Sequence, residues 1–153
     1  MRICFSLAAA AALLAGAAPA AAQNWHRVGG DAEAVAYVDA ASISGEGAIK
    51  RANVYTVYAR PVENRLYAGG ILSEFNCAEN WFRTIEYSYY GAGGVRFETH
   101  ASSRPNEHRT PDPGSFNHMF FRFVCAGEGG VAVGADAWSD AQAFLERAGR
   151  NPG

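Results

Sequence analysis

Two cysteines restrict the fold of this chain more than any other feature of its sequence. Of its three cysteines, Cys4 lies in an apolar N-terminal segment, which leaves Cys77 and Cys125. In an exported chain, two such cysteines form a disulfide far more often than a metal site or a reactive thiol. We therefore predict a Cys77–Cys125 disulfide, and closing a loop of that size is worth about 4 kcal/mol in the chain-entropy treatment.

The first 22 residues have the pattern of a secretory signal peptide. Arg2 gives a positive start, residues 3–18 are almost entirely apolar, and Ala20-Ala21-Ala22 supplies small residues for cleavage. The apolar run is too short for a transmembrane anchor, and Ala17 stands where a lipoprotein would carry its lipidated cysteine. We expect an exported protein, periplasmic or extracellular, with no membrane anchor in the mature chain.

The charge of the mature chain argues against two classes of partner. Cleavage would leave twelve basic and fifteen acidic side chains, a net charge of −3. A nucleic-acid-binding protein normally has a basic face, and attachment to anionic lipid needs a polybasic segment. We therefore predict no nucleic-acid partner and no membrane attachment.

The segment that ends at Cys125 has the pattern of an amphipathic helix. Ser115 is a good N-cap, since its hydroxyl can accept from an unpaired N–H group of the first turn. A strand is the alternative, because residues 120–125 are a compact run rich in Phe. The apolar residues recur at the i, i+3, i+4, i+7, i+8 spacing of a helix: Phe116, Met119, Phe120, Phe123 and Val124.

The rest of the mature chain is rich in strands. Asp39 predicts a capped helical turn over residues 39–43, and Gly29-Gly30-Asp31 predicts a turn. Residues 126–130 read as a flexible spacer, and residues 136–147 have a second helical pattern that Asp136 can cap. Strands are predicted at residues 24–28, 33–38, 49–60 (ended by Pro61), 66–77 (with a bulge or bend at Gly69-Gly70), 81–90 and 95–102.

The alternation of side chains along these strands predicts how the sheet is covered. From Trp81 onward the odd positions are largely apolar and the even positions, such as Glu86, largely polar. This pattern indicates an antiparallel sheet that is covered on one face. Cys77 has the same parity as Phe75, so the disulfide would hold the helix on the apolar face. The predicted fold class is α+β: an antiparallel sheet of about six strands, a disulfide-tethered helix on one face and an additional C-terminal helix.

No arrangement of residues predicts catalysis, a cofactor or a metal. The four histidines lack metal-ligand spacing, although His100, His108 and His118 could approach one another across the loop of residues 103–114. Asp39 is the first acidic residue to test, but a turn cap is the more common role in its setting. We therefore predict that the chain is not an enzyme.

Tyrosines and loop arginines are the candidates for contact with a partner. Tyrosine offers rigid contact area with a polar end, although strand tyrosines are more often half-buried against a helix. The candidate partner-binding residues are Arg60, Arg65, Tyr87, Tyr89, Tyr90, Arg104 and Arg109.

Several short segments, taken in order, resemble the surface-adhesin protein E family of exported bacterial proteins. They run from Trp25 through the Tyr37–Ile43 segment, the strand that ends in Cys77 and the tyrosine-rich Glu86–Tyr90 segment, to Pro113-Gly114-Ser115 and Val124-Cys125. The resemblance implies a six-stranded antiparallel sheet with a helix held to it by a disulfide, and it raises the option of a homodimer. The adhesin for which the family is named resembles a bacterial surface protein that binds the host matrix.

The resemblance covers most of the mature chain and sets the expected domain organisation. Residues 1–22 form the signal peptide, residues 23–127 the adhesin E-like domain, and residues 128–153 a spacer and a C-terminal helix beyond the shared region. The leading hypothesis is an exported, non-enzymatic binding domain whose partner is a protein or a cell-envelope component. The alternative is a small periplasmic ligand carrier or hydrolase with a cleft between the sheet and the helices.

Overall fold

The computed structural model describes residues 22–63 and 65–150. It contains one antiparallel sheet of seven strands in the order β6-β5-β4-β3-β2-β1-β7. Neither helix in this part of the chain has the length and apolar character that crossing a membrane requires. The elements are β1 Trp25–Gly30, β2 Ala34–Asp39, β3 Ile49–Val62, β4 Leu66–Asn76, β5 Trp81–Tyr90, β6 Arg96–Ala101, α1 Phe116–Ala126, β7 Val131–Gly134 and α2 Ala137–Arg150.

Helix α1 forms where the sequence predicts it, and the alternative of a strand is wrong. The Ser115 side chain accepts from the backbone N–H of His118, and Gly127 ends the helix in the left-handed conformation. The predicted disulfide between Cys77 and Cys125 is confirmed; it joins the residue after β4 to the last turn of α1. Phe121, which the predicted stripe left out, is also buried.

Close contact between α1 and the sheet depends on a glycine in β1. A Cβ atom on Gly29 would meet Sδ of Met119 in α1. The register of β1 on β2 also shifts between Arg27 and Gly29. The predicted turn at Gly29-Gly30 is therefore wrong: both glycines belong to β1, and Asp31 closes the turn by accepting from the backbone N–H groups of residues 33 and 34.

The sheet is covered on both faces, so the prediction of one covered face is wrong. On β3, Ala52 and Val54 belong to a core that contains the buried residues of α1. Tyr55 and Val57, which point to the other face, belong to a core with the buried residues of α2. Because α1 packs over the first half of β3 and α2 over the second half, the helices cover opposite faces at opposite ends.

A bulge in β5 explains why alternation misled the prediction. Cross-strand pairing shifts by one residue between Leu72 and Ser73 of β4, and this places Ile85 out of register in β5. Before the bulge, Phe82 and Thr84 face α1; after it, Tyr87 lies on that same face. A single parity therefore does not describe the whole strand, and Phe82, assigned to the polar face, is only 4% exposed.

Other details of the sheet also differ from the prediction. Strand β3 does not end at Pro61 but continues to Val62. Its pairing with β4 shifts register between Val57 and Val62, which leaves Pro61 outside the regular hydrogen-bond ladder. Gly69 and Gly70 pair in regular register with both neighbouring strands, β3 and β5, and form no bulge. Residues 131–134, which no pattern indicated, form β7 against β1. Residues 1–21 of the predicted signal peptide lie outside the described residues.

Helix α2 is fixed to the sheet by one carboxylate. Asp140 accepts two hydrogen bonds from Nη1 of Arg27, at 2.9 and 2.7 Å, and one at 2.8 Å from the hydroxyl of Tyr37. The guanidinium of Arg27 also lies 4.9 Å from the ring centre of Phe144. Burial, and then the hydrogen bond to Asp140, raises the pKa of Tyr37 far above its usual value, so this hydroxyl remains a donor.

A second carboxylate is buried on the α2 face, at the end that α2 does not reach. Glu74 is 5% exposed and accepts from Nε of Arg51 at 2.8 Å and Nε of Arg83 at 2.7 Å. Burial alone would raise the pKa of Glu74, but the hydrogen bonds from the two arginines outweigh it and hold the pKa below its usual value. Arg83 also donates to the carbonyl of Pro105, which ties the loop after β6 to the sheet.

We predict that Asp140→Ala lowers the free energy of unfolding by about 1–3 kcal/mol, because it leaves the buried hydroxyl of Tyr37 without an acceptor. Urea unfolding would measure the change. Gln142→Ala, at an exposed position of the same helix, is the control and should cost little. Equal stability of the two variants would show that this carboxylate does not hold α2.

We predict that Glu74→Gln flattens the acid limb of the stability curve. The folded pKa of Glu74 lies below its unfolded value of about 4.3. Its contribution is therefore complete above that pH and is lost as the pH falls through the folded pKa. Unfolding free energies measured from pH 7 to pH 3 should fall less steeply in Glu74→Gln than in the control Glu46→Gln, whose side chain is exposed. Identical slopes would contradict the assignment.

Candidate functional site

Four tyrosines share the part of the α1 face that α1 does not cover. Cross-strand neighbours lie on one face, and Ile71, which packs against the α1 core, is opposite Tyr87. Tyr89 is opposite Gly69 in the next row of that face. We call this region the tyrosine quadrant, and its tyrosines are Tyr58, Tyr67, Tyr87 and Tyr89.

A glycine gives the quadrant its shape. Gly69 lies in a central strand, and a Cβ atom there would come within 3.6 Å of the Tyr58 hydroxyl. The Tyr58 ring therefore lies along the sheet across this position. Its burial raises the pKa of Tyr58, which keeps the phenol neutral. The quadrant thus presents tyrosine rings and hydroxyls on the surface of the sheet.

A hollow of about 250 Å³ lies at one side of the quadrant, beneath the loop after β6. Arg109 forms its back wall: its guanidinium donates to the Thr84 hydroxyl at 3.1 Å and lies 4.9 Å from the ring centre of Phe82. Two backbone hydrogen bonds of 2.9 Å between Arg109 and Phe82 attach this loop to the free edge of β5. Tyr87 and Arg104 also line the hollow.

A second hollow, of about 260 Å³, lies at the other side. The guanidinium of Arg65 lies 5.0 Å from the ring centre of Phe97, a residue of β6 that is 44% exposed. Nε2 of His100 lies 2.8 Å from a carboxylate oxygen of Glu98, and its ring meets that of Tyr89 edge-on at 5.8 Å. This hollow therefore places an arginine, an exposed aromatic ring and an acidic group side by side.

Most of the candidate residues from the sequence meet on this face. Tyr87, Arg104 and Arg109 line the first hollow, and Arg65 and Tyr89 line the second. Arg60 is exposed near the end of β3. Tyr90 lies elsewhere: it is opposite Ala68 on the α2 face, and its ring packs edge-on against Tyr55 at 5.0 Å.

Among the lining residues that the sequence did not indicate are Thr84, Phe97, Glu98 and, as a neighbour of tyrosine, His100. The bulge in β5 hid the side on which Thr84 lies. A second register shift, between Tyr89 and Tyr90, displaces Phe97 in β6. The available signal in the sequence was the alternation of side chains along β6, and it did not reveal which strand lies beside β6.

The histidines are spread over separate parts of the structure. His108 stacks on Trp81 with ring centres 3.7 Å apart, His118 accepts from the backbone N–H of Gly114 at 3.4 Å, and His26 lies against Phe123. Across residues 22–63 and 65–150, no three His, Cys, Asp or Glu side chains gather as a metal site would require.

Asp39 has the capping role that its sequence setting favours. It is 4% exposed, and one carboxylate oxygen accepts from the backbone N–H groups of Asn24 at 2.9 Å and Ala41 at 3.1 Å. These bonds join the start of β1 to the 3-10 turn Ala40–Ser42. Asp39 therefore fixes the path of the backbone between β2 and β3.

Comparison with known proteins identifies the family of the chain. No curated protein and no solved structure matches the chain significantly. The family model of surface-adhesin protein E matches residues 25–126, which is more than half of the chain and runs from the start of β1 to the end of α1. Strand β7 and helix α2 lie beyond the match. The chain therefore belongs to the surface-adhesin protein E family.

Proposed function

We propose that this protein is an exported, non-enzymatic binding domain that engages a protein or a cell-envelope component through the tyrosine quadrant. The observation that carries the proposal is the uncovered sheet face with four tyrosines between two arginine-lined hollows. Membership of an adhesin family supports a binding role.

The physical properties of this face suit a protein partner. Tyrosine and arginine are the residues that most often contribute strongly to binding at interfaces. A tyrosine loses little conformational entropy on binding, because it has two side-chain torsions and the sheet already restricts them. Tyr87 and Tyr89 are partly exposed on neighbouring cross-strand rows, so one partner surface can contact both rings at once.

Charge at the rim would favour a partner with acidic groups. Arg65 and Arg109 lie on aromatic rings and form no ion pair within residues 22–63 and 65–150, so each guanidinium keeps donors for a carboxylate. Arg104 is paired with Glu107 at 3.3 Å, with both side chains exposed. An exposed pair of this kind contributes little stability, so Arg104 can exchange its partner at small cost.

Export is part of the same proposal. The N-terminal signal pattern and the disulfide fit an oxidising compartment, either the periplasm or the space outside the cell. The disulfide between β4 and α1 keeps the quadrant open there, because it holds α1 at the far end of the same face.

We predict that Tyr87→Ala with Tyr89→Ala weakens partner binding at least about tenfold, because each ring would lie at the centre of the contact. Saturable binding of the purified protein to immobilised host-matrix proteins and to bacterial envelope fractions would be measured. The matched control is Glu86→Ala with Ser88→Ala, which changes the same strand on the opposite face. The control should bind as the unchanged protein does.

Two results would contradict the proposal: no saturable binding to any immobilised component, or equal weakening by the two double variants. The mass of the protein in solution should be measured alongside. If the protein forms a homodimer that the tyrosine variant alone dissociates, the partner at this face is a second copy of the chain.

A further inference from the structure

A separate cavity of about 400 Å³ lies on the α2 face, the opposite side of the sheet from the tyrosine quadrant. Its floor is a row of aromatic rings from three strands. The ring centres of Trp25 and Tyr55 are 5.5 Å apart, and those of Tyr55 and Tyr90 are 5.0 Å apart. The first turn of α2, with Trp138, forms one wall, and the Gly93-Gly94 turn between β5 and β6 forms another.

Two glycines give the cavity its form. A Cβ atom on Gly70, in the central strand β4, would lie 3.1 Å from the Tyr90 ring, so this ring leans across the strand. A Cβ atom on Gly94 would lie 3.0 Å from the Trp138 indole, and Gly94 has a φ of 70°. The backbone therefore allows aromatic rings on the floor and on the wall to approach closely without filling the space between them.

The polar ends of these rings have no partner in the described part of the chain. Trp25 is 8% exposed and Tyr55 is 6% exposed, yet neither the indole N–H nor the hydroxyl makes a hydrogen bond within residues 22–63 and 65–150. No side-chain polar atom in those residues is both fully buried and unpaired. The two groups must therefore reach accessible space, and the space that both residues line is this cavity.

The contrast with similar residues elsewhere makes this arrangement informative. The hydroxyl of Tyr37 is bound to Asp140, and the indole N–H of Trp81 is bound to Glu79 at 2.8 Å. Nearly all buried tyrosine and tryptophan polar groups find such partners. Around the cavity, the indole N–H of Trp25 and the hydroxyl of Tyr55 instead have no protein partner among the described residues and reach the open space, so a bound ligand can supply the partner.

From this geometry we propose that the cavity binds a neutral saccharide of one or two sugar units. A sugar ring has an apolar C–H face that can pack on aromatic rings, and its hydroxyl and ring oxygens can accept from indole N–H groups and exchange hydrogen bonds with tyrosine hydroxyls. The volume is within the range of small-ligand sites. The carboxylate of Asp136, at the start of α2, can accept from a sugar hydroxyl.

The polar groups distinguish a sugar from an organic cation, the other ligand that aromatic cavities bind. Indole N–H groups are donors only, so they favour acceptor oxygens and oppose a positive charge. Burial, and then the nearby Tyr90 and Asp136, raises the pKa of Tyr55, so its hydroxyl stays neutral. Asp136 already accepts from the backbone N–H of Ser139 at 2.9 Å and from its hydroxyl at 2.7 Å, so part of its hydrogen-bonding capacity is used within the protein.

Tryptophan fluorescence of the full-length purified protein would report binding directly, because two of its three tryptophans line the cavity. The probes are glucose, N-acetylglucosamine, cellobiose and chitobiose, each added up to about 10 mM, which detects millimolar dissociation constants, with calorimetry to confirm. We expect saturable binding of at least one sugar. Tyr55→Phe removes only the hydroxyl and Trp25→Phe removes the indole N–H while keeping an aromatic ring, so each should weaken binding about 3- to 10-fold, the effect of one lost hydrogen bond.

Trp81→Phe is the matched control, because Trp81 stacks on His108 away from the cavity and should leave the affinity unchanged. Choline chloride is the test for a cation. The proposal is overturned if none of the four sugars binds, if choline binds in their place, or if sugar binding is the same in both cavity variants as in Trp81→Phe.

Discussion

The attachment of two helices to opposite faces of one sheet determines the rest of this structure. The Cys77–Cys125 disulfide holds α1 over the end of β4, and the Asp140 carboxylate joins α2 to the middle of β1 and β2. The two attachments differ in kind. The disulfide acts chiefly on the unfolded chain, which it restricts, whereas Asp140 acts in the folded state, where it satisfies the buried hydroxyl of Tyr37.

Because each helix covers half of its face, two regions of the sheet remain open, and their chemistry differs. The open part of the α1 face carries tyrosines beside arginines that lie on aromatic rings. The open part of the α2 face carries Glu74 between two arginines, and these three side chains pair with one another. The tyrosine face has uncommitted contact groups, and for that reason we assign partner binding to it.

The sequence allowed the disulfide, helix α1 with its Ser115 cap and the turn at Asp39 to be predicted, because each depends on local pattern or on cysteine count. The covering of both faces could not be predicted. It depends on the bulge at Ile85, which reverses the parity of β5, and on β7, a short strand that forms through its pairing with β1. Of the candidate site, the tyrosines and arginines were identified, but their division between two faces was not. Tyr89 and Tyr90 belong to different surfaces because adjacent residues of a strand point to opposite faces, but the sequence did not reveal that Tyr90 packs against the core beneath α2.

The most direct test of this account is hydroxyl-radical footprinting of the oxidised, mature protein, with modification of each tyrosine measured by mass spectrometry. We predict that Tyr87 and Tyr89 are modified readily, because α1 does not reach them, and that Tyr37, which is 0% exposed under α2, is protected. Protection of Tyr87 and Tyr89 together with ready modification of Tyr37 would contradict the placement of the helices and the binding surface that follows from it.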